Sequence, residues 1–131
     1  MKFIIISNIF LLFPLIGSFL MEEWIYFAFS VGLIFASPSY HYLKEFHPSF
    51  KIILNLFKDS DWIIALGAYC YMFYYIFTKV TLSLQIPFTI ALVISLLFFW
   101  YGFKYGDYKK LHPWFHIFAF TISGLIVISK V

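Results

Sequence analysis

Cysteine occurs once, at Cys70, arginine is absent, and only 11% of the residues carry charge. A single cysteine excludes intramolecular disulfides and cysteine-built metal clusters. The scarcity of charge excludes a soluble globular domain: 63% of the 131 residues are hydrophobic, more apolar side chains than a water-facing surface tolerates. A net charge of +3, spread over scattered lysines, is too small for a nucleic-acid surface, so no nucleic-acid partner is expected. Internal repeats and low-complexity tracts are also missing, and the length leaves room for one domain, 1–131.

What the chain does have is apolar sequence in blocks. Charged residues cut it into charge-free stretches at 3–21, 24–43, 62–78, 80–103 and 111–129. A helix needs roughly 20 residues, at ~1.5 Å rise each, to cross ~30 Å of hydrocarbon, so every block is a candidate span. The 17 residues of 62–78 are short, and they borrow from Lys79 to Thr81 if the lysine snorkels to the interface. The expected fold is therefore all-α, a polytopic transmembrane helix bundle of about five helices over about 3–21, 24–43, 62–80, 83–103 and 111–129. The first block, behind Lys2, also has the outline of a signal sequence. Without an Ala-x-Ala pattern after it, it reads as an anchor.

Lysine placement orients the bundle. With five spans, one side receives seven lysines (Lys2, Lys44, Lys51, Lys58, Lys104, Lys109, Lys110) and the other only Lys79 and Lys130. The lysine-rich side is the cytoplasmic one, which puts the N-terminus in the cytoplasm. Between the second and third spans, His47-Pro48 can open a short interfacial helix over about 48–58, with Phe50, Ile53, Leu54 and Phe57 on one side and Lys51, Asn55 and Lys58 on the other. Trp24, Trp62, Trp100 and Trp114 lie near span ends, as aromatic belts do. Pro38 falls inside the second span, where it removes a backbone hydrogen bond and should kink the helix beside Ser37 and His41.

Polar and ionisable groups are costly in a membrane segment, about 2.5 to 3.5 kcal/mol for a central charge on insertion scales, so those present call for an explanation. Ser37 and His41 end the second span, Asp61 begins the third, and His112 and His116 begin the fifth. All three helix ends belong to the cytoplasmic side in the lysine-based topology. His112 and His116 are four residues apart, which puts both imidazoles on one helix face at a separation that chelates one metal ion. Ser37 and His41 share that spacing on another helix. Three imidazoles plus water make a catalytic zinc shell that polarises a carbonyl and acidifies the water. Asp61 can then hold or deprotonate that water, and Ser37 can hydrogen-bond it or the developing oxyanion. At ~1.5 Å per residue, His41 sits ~5 Å, His116 ~9 Å and Ser37 ~10 Å inside the span ends, where headgroups join acyl chains. A membrane lipid with an amide or ester bond suits that depth.

Each feature also has a plainer structural explanation. A lone histidine near a span end is commonly an interfacial side chain, Ser37 can return its hydroxyl to a backbone carbonyl, and His112, followed by Pro113, can be an N-cap. Asp61, close to Asp59 and Ser60, fits an N-cap or first-turn carboxylate favoured by the helix dipole.

Taken in order, the strings Ser37-Pro-Ser-Tyr-His41, Asp61-Trp62 and His112-Pro-Trp-Phe-His116 resemble the signature of the CREST superfamily of membrane hydrolases, which includes alkaline ceramidases, adiponectin-type receptors, haemolysin-III-like proteins and myomaker relatives. The resemblance extends from about residue 24 to about residue 129. It implies zinc held by His41, His112 and His116, with Ser37 and Asp61 as polar partners of the zinc-bound water, and lipid amide hydrolysis as the chemistry. Asp59 is the alternative carboxylate, although Trp62 favours Asp61. The family usually has seven helices where this chain offers about five, so a homo-oligomer is one way to complete a substrate cavity. Two other classes remain open from the sequence: a non-catalytic scaffold or receptor-like protein with a structural zinc site, and a haem-binding membrane protein with two axial histidines.

Overall fold

The computed structural model describes residues 2–106 and 108–131, and over them the chain is all-α. Helix α1 begins as Lys2–Ser7, tightens through a 3-10 turn at Asn8–Leu11 and resumes as Leu12–Leu20. The tightening has a local cause. Pro14 offers no amide to the Phe10 carbonyl and its ring crowds that oxygen, so the turn before it winds more closely. Helices α2 (Trp24–Phe46), α3 (Lys51–Lys79), α4 (Leu82–Lys104) and α5 (Tyr108–Ile128) follow. No β-strand forms among the described residues; the one extended contact is an isolated bridge between Val80 and Lys130.

Two of the connections are set by single residues. Glu22 takes φ 56° after α1, with the Glu23 amide donating to the Ser18 carbonyl (2.8 Å) and the Glu22 amide to the Phe19 carbonyl (3.2 Å). That is a Schellman closure, with a non-glycine residue in the left-handed position. Lys130 compensates: its ammonium donates to the Met21 carbonyl (3.2 Å) and pairs with Glu23 at 2.7 Å. After α4, Gly106 adopts φ 77°, a conformation that glycine enters without a Cβ penalty.

Among the described residues three helices are long and apolar enough to cross a membrane: α1 over Phe3–Leu20, then α4 and α5. Helices α2 and α3 fall short of that composition because they carry the tyrosines, serines and histidine that face inward, among them Tyr26, Ser37, His41 and Tyr75. Outward, the bundle is greasy. Ile52 is 87% exposed, Leu82 78% and Phe35 69%, a distribution that water does not tolerate over so much surface.

The third segment departs from expectation. In place of a separate interfacial helix over about 48–58, α2 ends at Phe46, and residues from Lys51 onward form one uninterrupted helix with the third span. No proline or glycine interrupts the stretch from Lys51 to Leu66, so each added residue gains a backbone hydrogen bond and propagation wins over a break. Asp61 is consequently an interior residue of α3 and not its N-cap. His112 is likewise interior to α5, which starts at Tyr108, so Pro113 sits in its first two turns and both histidines have helical backbones.

Packing pairs α2 with α3 and α4 with α5, while α1 lies across α2 and α5. The α1 to α5 contact is close because both sides offer glycine: a Cβ at Gly17 would run into Val127, and one at Gly124 into the ring of Phe13. Between the two pairs, α3 touches α4 and α5 far less, and the space left there is a cavity of about 300 Å³.

Candidate metal centre

The C-terminal end of α2 and the N-terminal end of α5 both lie against α1 at the same end of the bundle, and there His41 meets His112 and His116. The ring centroid of His41 lies 5.1 Å from that of His112 and 5.5 Å from that of His116, and the two α5 histidines are 4.4 Å apart. One nitrogen can be chosen from each ring so that all three lie within 4.8 Å of one another. All three side chains are buried. The sequence-predicted triad therefore lies close enough to bind a single metal ion.

Hydrogen bonding shows which ring atoms are left over. Both nitrogens of His41 and Nδ1 of His112 are buried with no partner among the described residues. Buried polar atoms are normally paired, because an unpaired one costs about 1–3 kcal/mol, so orphaned nitrogens on two of three clustered imidazoles call for a ligand. The remaining two nitrogens with known partners point elsewhere. Nδ1 of His116 is 3.1 Å from the Ser7 hydroxyl, and Nε2 of His112 is 3.1 Å from the Tyr108 hydroxyl. Three imidazoles with uncommitted nitrogens match the donor set of a metal site that keeps a position open.

The other expected residues are close by. Ser37 is 2% exposed, and it lines the same cavity as Asp61, His112 and His116, with its hydroxyl beside the Asp61 carboxyl. Asp59 is elsewhere: it is exposed and pairs loosely with Lys58 at 3.9 Å. From the histidines the cavity runs along the bundle toward Tyr26 and Ser123, walled by Leu33, Ala68 and Phe120 among other apolar side chains. Lys44 sits at the histidine end, its ammonium 5.5 Å above the Tyr40 ring and 5.3 Å above the Tyr108 ring.

Two residues at the site escaped the sequence reading, Ser7 and Tyr108. Tyr108 had a signal, since it precedes His112 by four residues and so shares its helix face. Ser7 had a weaker one: Ser7-Asn8 is the only adjacent pair of polar residues inside the first apolar block.

No family model, curated protein or solved structure matches this chain.

Proposed function

We propose that the chain is a multi-pass membrane protein of the CREST kind, a zinc-dependent hydrolase that cleaves an amide or ester bond of a lipid at the cytoplasmic leaflet. The observation that carries this reading is the set of three buried imidazoles, with unpaired nitrogens, at one end of an apolar cavity that also presents a serine and a carboxyl. Helices α2 and α3 would cross the membrane with the three more apolar ones because they are packed among them, with the polar side chains turned inward.

His41, His112 and His116 would hold the metal. Zinc, when bound, supplies Lewis acidity, which makes a lipid carbonyl electrophilic and a water nucleophilic near neutral pH. Asp61, on the cavity wall, takes the proton of the attacking water and returns it to the leaving amine or alcohol. The Ser37 hydroxyl beside it has one proton, which it gives to the carboxylate, orienting it, or, once Asp61 is protonated and can itself donate, to the oxygen on which charge develops. Leu33, Ala68 and Phe120 hold the acyl portion and keep bulk water out.

Elemental analysis of detergent-purified protein tests the reading, paired with mass-spectrometric detection of fatty acid released from amide- and ester-linked lipids. Near-stoichiometric zinc and lipid cleavage are expected in the wild type, and both should be lost in His41→Ala, His112→Ala and His116→Ala. Stoichiometric zinc in the triple variant would overturn the site. Zinc binding without cleavage of either lipid class would leave the non-catalytic scaffold as the better account.

A further inference from the structure

Ser7 is 109 residues from His116 in the chain, yet the two side chains touch. Its hydroxyl has one proton and two contacts. The shorter contact, 2.7 Å, runs to the Ile4 carbonyl, which can only accept. At the longer one, 3.1 Å to Nδ1 of His116, the serine oxygen is therefore the acceptor, and His116 carries its ring proton on Nδ1. With the proton held there, the lone pair is on Nε2.

We infer that Ser7 is a positioning residue for the metal site: it holds His116 in the Nδ1–H tautomer, so that Nε2 is the nitrogen offered to the ion. The inference rests on the metal-binding reading above and adds to it a contribution from α1, which supplies none of the proposed ligands. Metal-ligating histidines are generally fixed in this way by an acceptor on the other ring nitrogen, and losing that acceptor typically weakens metal binding 10- to 100-fold. A purely local role does not account for the contact. Ser18, equally buried on the same helix, donates to the Leu15 carbonyl three residues back, as Ser7 does to Ile4, and makes no second contact.

That pair of serines supplies the experiment. Full-length wild type, Ser7→Ala, Ser7→Thr and Ser18→Ala are purified in detergent. Zinc affinity is measured by chelator competition, and the histidine tautomers of the metal-free protein are read from nitrogen-15 NMR. Ser7→Ala should bind zinc roughly 10- to 100-fold more weakly and lose the Nδ1–H signature of His116. Ser7→Thr, which keeps the hydroxyl, should restore both, and Ser18→Ala should alter neither. Wild-type affinity in Ser7→Ala, or an equal loss in Ser7→Ala and Ser18→Ala, overturns the role of Ser7 alone. A wild type that takes up no zinc overturns this inference and the metal reading together.

Discussion

At the end of the bundle that holds Glu23 and Lys130, most buried polar side chains find partners within the protein; among the described residues Thr89, whose Oγ1 is buried without one, is the exception. The Tyr26 hydroxyl donates to the Ser123 carbonyl at 2.8 Å and lies 2.7 Å from the Ser123 hydroxyl; the Tyr75 hydroxyl donates to the Val127 carbonyl at 3.3 Å. Lys130 closes on Glu23, and the Val131 amide donates to the Lys79 carbonyl at 2.9 Å. At the histidine end, three imidazole nitrogens have no such partner, although they are as deeply buried. The same low-dielectric interior penalises an unpaired polar atom at either end. The first end is held largely by paired polar groups, whereas the second keeps three unpaired nitrogens in a histidine cluster close enough to bind a metal ion.

Substitutions at the two ends should therefore move different quantities. Under the proposed hydrolase function the largest effect is expected from Asp61→Asn, which should lower lipid hydrolysis by about 10²- to 10⁴-fold, the usual contribution of a general base, while zinc content stays at the wild-type level. Loss of zinc along with activity would show instead that Asp61 belongs to the ligand set. Next comes Gly124→Ala. Its new methyl group meets the Phe13 ring and must push α1 away from α5, at a cost of about 1–3 kcal/mol in thermal or denaturant unfolding. Because α1 also carries Ser7, this variant is expected to weaken zinc binding too, linking a packing defect at mid-bundle to the distant site.

Two smaller substitutions set the ends directly against each other. His41→Leu removes two orphaned nitrogens and should raise the stability of metal-free protein by about 1–2 kcal/mol, measured as a higher unfolding midpoint in the presence of chelator. A lower midpoint would mean that the imidazole is satisfied after all, and the contrast between the ends would fail. Tyr26→Phe removes a paired hydroxyl and should lower stability by about 0.6 kcal/mol, the average for hydrogen bonds between membrane helices, with zinc affinity unchanged. Opposite signs for these two variants are the sharpest expression of the difference between the ends.

Much of the helical framework could be read from charge placement and hydropathy, as at 80–103 and 111–129, where apolar blocks became α4 and α5. The start of α3 could not. Asp59-Ser60-Asp61 looks like a cap in isolation, and what overrides it is the absence of any breaker in the residues before it. Within the site, His112 and His116 were recognisable as one face from a spacing of four, and Trp62 favoured Asp61 over Asp59; Asp61 lines the cavity and Asp59 is exposed.

The sequence by itself determined what is local: which stretches are helical, which are greasy enough to leave water, and which pair of imidazoles one helix turn brings together. These depend on helix period and on hydration, both set by neighbours a few residues away. Only the tertiary structure decided that His41 meets that pair, that Ser7 reaches His116 and that a cavity opens between α3 and α5. Those relations follow from how closely whole helices approach, and that distance is set by shape at remote positions such as Gly17 and Gly124, where a missing Cβ lets α1 and α5 come together.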